Sequence, residues 1–334
     1  MKAQLLPGLA EIIAARRRLA TGLRRTPCIF AAALSEMTGI RIWLKRDDLQ
    51  RTGSFKERGA RHALLCLDDF KRARGVVAAS AGNHALGLAY HGAQLGVRVT
   101  VVMPATAPRV KVERCRALGG EVILQGDSFE AAHAHALDLA ARTGATLIHP
   151  FDNADVIAGQ GTLGLELVEQ VHDFDTLVLP VGGGGLLAGV ATAVKALRPH
   201  VRVVAVEPEG AACFAAARRH GAPVNVSLGR TLADGLAVQR IGELTFAVAN
   251  SRVDAAVAVT EVEIATTVAL LAQQCGVVAE GAGAAALAAV LAGKVAAREV
   301  VVPICGRNID ARVHAAVVAS APAATLQSRV ACAA

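Results

Sequence analysis

The chain has 334 residues and a mass of 34.3 kDa; 53% of its residues are hydrophobic and 19% are charged. This composition excludes an intrinsically disordered protein, and the length suits one large domain or two ordinary ones. Aromatic residues make up only 3% and glycines number 32, which predicts a core of closely packed Ala, Val and Leu, as in helices layered on sheets.

The net charge is positive, with 35 Lys and Arg residues against 28 Asp and Glu residues, a formal +7. The densest basic stretch joins Arg16, Arg17 and Arg18 to Arg24 and Arg25, with few aromatic residues nearby for stacking on bases. We interpret this stretch as a solvated helix face, with a basic nucleic-acid binder as the alternative.

Seven cysteines, an odd number, stand at positions 28, 66, 115, 213, 275, 305 and 332, without a Cys-x-x-Cys pair or a signal-peptide pattern. This usage predicts a reduced, cytoplasmic protein without a zinc cluster. The longest uncharged run, 176–194, contains Pro180 and four consecutive glycines, which favours a strand, a loop and a helix over a membrane span.

The first predicted elements are a helix over 9–23, a strand over 41–45 and a turn over 52–59 that opens into a helix ending near residue 67. A periodic block follows. It has predicted strands over 76–79, 97–102, 121–124 and 145–149, with helices from 83, over 110–117 and over 128–142. Alternating strands and helices indicate a parallel sheet with right-handed crossovers, here a small α/β unit inserted in a larger one.

The larger unit resumes with further alternation. We predict helices over 160–171, 186–197, 261–274 and 282–292, and strands over 176–181, 201–206, 255–259 and 299–304. The pattern again predicts an open parallel sheet.

Four consecutive glycines, Gly182, Gly183, Gly184 and Gly185, stand between a predicted buried strand and a helix that starts at Leu186. Glycines let the backbone turn its N–H groups inward, and the helix N-terminus adds partial positive charge, so the pattern predicts a phosphate site. Gly183, Gly185 and Ala188 also fit the G-x-G-x-x-A spacing of dinucleotide-binding turns, with Glu207 as the ribose-binding acid. A nicotinamide-dependent dehydrogenase is therefore an alternative.

Lys56 is one of only seven lysines and follows a Gly-Ser turn just before a helix. A desolvated amine near a helix N-terminus has a lowered pKa and can form a Schiff base with an aldehyde cofactor, although an ordinary surface lysine also fits this position.

Two further segments end predicted strands at the edge where open α/β sheets bind ligands. The first runs from Ser80 to His84; its successive N–H groups can hold a carboxylate, and Asn83 can hydrogen-bond a ring hydroxyl. A plain helix N-cap is the alternative for Ser80 or Asn83. The second begins at Cys305, for which a buried core thiol is the alternative.

The order of these signals resembles the serine/threonine dehydratase family of fold-type II pyridoxal-phosphate enzymes. The resemblance covers residues 10–315. It includes the segments KRDDL (45–49), GSFKERGA (53–60), ASAGNH (79–84), HPFD (149–152), AGQGT (158–162), PVGGGGLL (180–187), ADG (233–235) and EGAG (280–283).

The resemblance implies an α/β fold like that of tryptophan synthase β, with two open parallel-sheet domains and the cofactor, pyridoxal 5'-phosphate, between them. The large cofactor-binding domain would comprise 1–68 and 150–320, and the small inserted domain 72–149. Residues 321–334 would be a C-terminal tail, with no regulatory domain.

The resemblance also implies residue roles. Lys56 looks like the Schiff-base lysine that also transfers the proton, Phe55 packs beside the ring and Asn83 pairs with its 3-hydroxyl. The phosphate is implied to bind at Gly182, Gly183, Gly184, Gly185 and Leu186. N–H groups that donate to the substrate carboxylate are implied at Ser80, Ala81, Gly82, Asn83 and His84. The resemblance further implies that Cys305 faces the pyridine nitrogen and that Glu280 and Gly235 line the site.

Three positions depart from the family pattern. Arg307 replaces a commoner glycine, which changes the charge on the substrate side. Ala81 stands where serine racemases of the family carry a second serine. Cys213 stands where cation-binding members have an aspartate, so we expect no metal.

The implied reaction is β-elimination of water from a β-hydroxy-α-amino acid such as threonine or serine, giving a 2-keto acid and ammonia. A thiol at Cys305 is a weak, uncharged partner for the ring nitrogen, which favours elimination over transamination. The hydroxyectoine-utilisation dehydratases are a possible subgroup, with a hydroxyectoine-derived substrate. We expect a small-molecule amino-acid substrate and a homodimer, with neither nucleic acid nor membrane as partner.

Overall fold

The structure is a computed structural model that describes residues 6–320. The predicted tail 321–334, with Cys332, lies outside the described residues. None of the helices in the described range combines the length and apolarity needed to cross a membrane.

The strands, in chain order, are β1 (Cys28–Phe30), β2 (Arg41–Lys45), β3 (Val76–Ala79), β4 (Val99–Met103), β5 (Glu121–Leu124), β6 (Thr146–Leu147), β7 (Thr176–Pro180), β8 (Arg202–Pro208), β9 (Ala255–Val259) and β10 (Glu299–Pro303). The α-helices are α1 (Leu9–Leu19), α2 (Ala32–Thr38), α3 (Lys56–Leu65), α4 (Asp69–Arg74), α5 (Asn83–Leu95), α6 (Arg109–Ala117), α7 (Phe129–Thr143), α8 (Ala154–Gln170), α9 (Gly185–Leu197), α10 (Cys213–His220), α11 (Glu243–Ala249), α12 (Glu261–Cys275), α13 (Gly281–Leu291) and α14 (Ala311–Ser320).

The strands form two sheets, as the alternation predicts. The larger sheet has the order β1-β2-β10-β7-β8-β9 and the smaller one β5-β4-β3-β6. Within residues 6–320, every strand pairing is parallel except β1 with β2, where Cys28 lies opposite Lys45. The two parallel sheets confirm the prediction, and the larger one has in addition an antiparallel strand at its edge. The short strand β1 is joined to its neighbour β2 by α2, and an antiparallel pair needs no crossover connection over the sheet.

Small side chains let helices pack closely on the larger sheet. Helix α13 has the sequence GAGAAALAAVL, and its residues 281–290 are buried. Helices α8 and α9 approach at glycines, since a Cβ on Gly189 would lie 2.3 Å from the carbonyl oxygen of Ile157. The low aromatic content is thus compatible with a dense core, because the helices approach closely enough to fill the space that large side chains would otherwise occupy.

Several predicted bounds shift. Helix α1 ends at Leu19 and not at residue 23, and Gly22 follows with a φ of +86° that a helix does not allow. Helix α8 begins at Ala154 and not at 160, because the Asn153 side chain accepts a hydrogen bond from the amide of Val156 and caps it. The strand predicted over 145–149 pairs only at Thr146–Leu147.

Candidate active site

Lys56 is the first residue of α3, directly after the Gly-Ser turn. Its half-buried amine donates a 2.8 Å hydrogen bond to the carbonyl oxygen of Pro150 and lies 5.3 Å from the ring centroid of Phe55. Burial lowers the pKa of the Lys56 amine to about 8, against smaller opposing effects of Cys305 and Glu280. The amine is therefore neutral in a far larger fraction at neutral pH than that of an exposed lysine.

Cys305 follows β10 and lies beside the segment that precedes Lys56. The amide of Phe55 donates to the Cys305 carbonyl over 2.9 Å, and the amide of Arg307 donates to the Gly53 carbonyl over 3.0 Å. Burial, reinforced by nearby carboxylates, raises the pKa of the Cys305 thiol well above its usual value. The thiol is thus uncharged, and its Sγ lies 3.6 Å from the Pro303 carbonyl oxygen.

Asn83, Glu280 and Asn308 form one hydrogen-bonded group. The Asn83 side-chain amide donates to Glu280 over 2.7 Å, while the Asn308 amide groups donate to Glu280 over 3.0 Å and to the Asn83 oxygen over 2.6 Å. Burial raises the pKa of Glu280 to about 7. Three segments distant in sequence, at the starts of α5 and α13 and after β10, therefore converge here.

The glycine run forms the turn between β7 and α9. Gly184 has a φ of +89° and is the N-cap of α9, so no side chain caps the helix amides. The Thr245 hydroxyl donates to the Gly183 carbonyl over 2.8 Å, and a Cβ on Gly183 would lie 2.2 Å from the Phe151 ring. Amides at a helix N-terminus that no side chain caps, with no room for side chains around them, are suited to binding an anion.

The loop of residues 149–152 joins the glycine run to Lys56. Its Pro150 carbonyl accepts from Lys56, its Phe151 ring packs on Gly183, and Asp152 accepts from the amides of Leu244 and Thr245 over 2.9 and 3.1 Å. The glycine run and the Lys56 amine therefore contact the same loop.

The segment from Ser80 to His84 lies at the carboxyl end of β3, as predicted. The Ser80 hydroxyl accepts from the amide of Gly82 over 3.2 Å, and residues 80–83 are half-buried. The side chain of His84 is buried, and its Nε2 donates to the Ile148 carbonyl over 3.2 Å. Burial and the nearby Lys56 amine lower the pKa of His84 to about 3, so the ring is neutral and offers no positive charge to a carboxylate.

Gly235 packs on α13, since a Cβ on it would lie 3.1 Å from that of Ala282, and the next residue, Leu236, contacts Gly182 of the glycine run. Glu207 has a different role from the ribose contact that a dehydrogenase would need. Its carboxylate accepts from the amides of Phe214 and Ala215 over 2.6 and 2.9 Å and so caps α10. Both oxygens serve the fold, and the sulfur of Cys213 points to the Gly182 carbonyl.

Sequence reasoning assigned no role to Pro150, Phe151, Asp152, Thr245 or Asn308. The segment HPFD (149–152) was a visible signal, but its contacts are with residues far away in the chain. A backbone carbonyl that accepts from a lysine leaves no mark in a sequence, because every residue has one.

A family profile described as "Pyridoxal-phosphate dependent enzyme" matches residues 19–306. The chain is 46% identical over 303 residues to the L-threonine ammonia-lyase of Thermotoga maritima, covering 90% of this chain and 76% of that protein. It is 42% identical to the catabolic L-threonine dehydratase of Escherichia coli K12, covering 90% and 92%. The structure of maize serine racemase matches with a TM-score of 0.89 and 34% identity, covering 92% and 96%.

Proposed function

This chain belongs to the pyridoxal-phosphate dependent enzyme family, and we propose that it is a dehydratase that converts threonine or serine to a 2-keto acid and ammonia. The observation that carries the proposal is the 46% identity to an L-threonine ammonia-lyase across 90% of this chain. The arrangement of Lys56, the glycine run and Cys305 supports it. For threonine, loss of water followed by hydrolysis gives 2-oxobutanoate and ammonia.

The residues fit the cofactor on structural grounds. The turn over Gly182–Gly185 leaves no space for side chains and presents the uncapped amides of α9, which suits a phosphate. Lys56 presents an amine whose lowered pKa suits covalent attachment to an aldehyde. We assign the phosphate to residues 182–186 and the aldehyde to Lys56, with Phe55 beside the ring.

When bound, pyridoxal phosphate supplies an electron sink for the negative charge left on the substrate α-carbon. Lys56 removes the proton from that carbon, and burial favours this because it increases the neutral fraction of the amine, the form that accepts a proton. The amides of residues 80–84 bind the substrate carboxylate and so fix the direction of the α-carbon relative to the amine.

Cys305 and Asn83 set the polarity around the ring. A buried neutral thiol brings no negative charge that would stabilise a protonated ring nitrogen, in contrast to a carboxylate. Asn83 carries both a donor and an acceptor, and Glu280 and Asn308 fix its orientation. Gly235 completes the wall of the cleft. This environment favours loss of the β-hydroxyl over transfer of the amino group.

Three finer proposals accompany this function. We expect a cytoplasmic homodimer, testable by light scattering of the purified protein and by cell fractionation. The hydroxyectoine-derived substrate is a further candidate, and it is tested in the same screen as threonine and serine.

The decisive experiment measures keto-acid and ammonia release from a panel of β-hydroxy-α-amino acids of both enantiomers, with Lys56→Ala as the inactive control. We expect equimolar keto acid and ammonia from threonine or serine. Turnover confined to a hydroxyectoine-derived amino acid would move the substrate assignment, and release of neither product from any substrate by cofactor-loaded protein would refute the dehydratase.

A further inference from the structure

A second group of reactive side chains lies away from the candidate active site, where α3 meets the start of α8. His62 and Cys66 stand four residues apart on α3 and at its C-cap, and therefore on one helix face. Asp155 is the second residue of α8. One ligand atom from each of these three residues lies within 4.8 Å of the other two.

The hydrogen bonds fix which nitrogen of His62 faces this group. His62 Nδ1 lies 2.8 Å from the backbone carbonyl oxygen of Asp155, and a carbonyl only accepts, so Nδ1 carries the proton. The lone pair is then on Nε2, which lies 3.4 Å from the Cys66 sulfur. A histidine whose other nitrogen donates to a backbone carbonyl is the usual arrangement of a metal ligand.

The distances suit a tetrahedral ion. Zinc bonds of about 2.0–2.3 Å to nitrogen and sulfur place these two atoms about 3.5 Å apart, which agrees with the observed 3.4 Å. Asp155 is exposed, so its carboxylate can rotate to complete the third contact. A thiolate and a carboxylate also neutralise the charge of a divalent ion.

A cavity borders this group of three side chains, and Arg18 competes with an ion for His62 Nε2. The cavity has a volume of about 310 Å³ and is lined by His62, Asp155 and Arg18, so an ion and a water ligand can reach His62 and Asp155 from this side. A guanidinium nitrogen of Arg18 lies 3.4 Å from His62 Nε2 and so shares the same lone pair. Arg18 is exposed on α1 and can turn into solvent when an ion binds.

We propose that His62, Cys66 and Asp155 form a binding site for a zinc ion or a similar borderline divalent metal, separate from the cofactor site. Imidazole, thiolate and carboxylate together suit zinc, while calcium and magnesium prefer oxygen alone. His62 follows Lys56 by six residues, about 9 Å along the helix axis, so the ion would clamp α3 to α8 without touching the reacting atoms.

The test uses chelator-treated holoenzyme titrated with Zn²⁺ against a chromophoric competitor, and with Co²⁺ for the thiolate-to-metal absorption band. We expect one ion per chain. Cys66→Ser and Asp155→Asn should each weaken binding by at least the ~10- to 100-fold that is typical of altered metal-site partners. Cys66→Ser should also remove the cobalt band, while Cys275→Ser, at another half-buried cysteine, should keep both.

Arg18 provides a test in the opposite direction. Arg18→Ala should tighten Zn²⁺ binding several-fold because it frees Nε2, and Arg17→Ala on the same helix should leave it unchanged. Circular dichroism and the cofactor absorption of each variant show whether it is folded. Zn²⁺ binding that is absent, or that is equal in folded Cys66→Ser, Asp155→Asn and parent protein, would overturn the proposal without affecting the dehydratase assignment.

Discussion

Lys45 and Lys56 are eleven residues apart, and their surroundings differ in the number and charge of hydrogen-bond acceptors. The Lys45 amine is buried and donates to three acceptors: the Thr26 carbonyl at 2.6 Å, Glu166 at 2.5 Å and Gln170 at 2.8 Å. The Lys56 amine has one neutral acceptor, the Pro150 carbonyl. All three N–H groups of the Lys45 ammonium therefore have acceptors, whereas two of those on Lys56 have none within the described residues.

The surroundings of Lys45 form a buried ionic cluster. Arg58 is fully buried and binds both oxygens of Asp47 over 2.7 Å and Glu166 over 2.7 and 3.0 Å, and Asp47 also accepts from Thr26. Each charge has a partner of opposite sign, which burial requires. Both amines are buried to a large extent, so the acceptors and not burial distinguish them, and we expect only Lys56 to react.

The largest expected effect is on Lys56. Lys56→Ala removes both the covalent anchor and the base, so turnover should fall by more than the ~10²–10⁴-fold typical of deleting a general base alone. Keto-acid release and the cofactor absorption band measure this, with the exposed Lys71→Ala as control. A variant that retains both would show that another amine carries the cofactor.

Lys45→Met should act on stability instead. It removes one of the two cations that pair with Glu166 and leaves Arg58 in place. We therefore expect a loss of about 1–3 kcal/mol in the free energy of unfolding, below the ~3–5 kcal/mol of a buried ion left with no partner. Lys71→Met, at an exposed pair, should change it by less than ~0.5 kcal/mol. Urea unfolding of the two variants is the measurement, and equal midpoints would contradict the structural role of Lys45.

The pH dependence of cofactor capture sharpens the comparison further. The pKa of Lys56 is lowered from 10.5 to about 8, so the neutral, reactive amine increases as pH rises and reaches half its maximum near pH 8. At pH 7 about a tenth of the amine is neutral. The rate at which cofactor-free protein captures pyridoxal phosphate should therefore level off above pH 9. The rate for a free alkyl amine, measured as a reference, should continue to rise over the same range. A rate that increases tenfold per pH unit up to 10 would show an ordinary lysine.

The smallest effect concerns the substrate face that Lys56 does not reach. The proposed roles put Ala81 on that face, and its methyl group neither gives nor accepts a proton. We therefore expect a proton to return to the α-carbon only from the lysine side. We predict dehydration of one enantiomer with negligible racemisation, and a low racemase activity in Ala81→Ser. Chiral chromatography of unreacted substrate after partial turnover checks both, and abundant opposite enantiomer from the parent protein would contradict this.

Much of the fold could be predicted because its signals are local. The buried runs that form β3 and β7 and the alternation with helices indicate parallel sheets before any contact is known. The antiparallel β1 was missed, since a strand of three residues has no periodicity to detect and exists through its pairing with β2. The metal-site candidate was missed for a similar reason, because Asp155 lies 89 residues after Cys66 and no spacing rule connects them.

The alternation of strands and helices, the glycine turn and the position of Lys56 at a turn before a helix can be read from the chain alone, because backbone conformation and hydrophobic periodicity depend on neighbouring residues. Folding adds the contacts between distant segments: Lys56 faces the Pro150 carbonyl, Glu280 and Asn308 orient Asn83, and Glu207 caps α10. These outcomes depend on burial and on the approach of distant segments, and the charge and pKa of a side chain follow from that environment and not from its residue type.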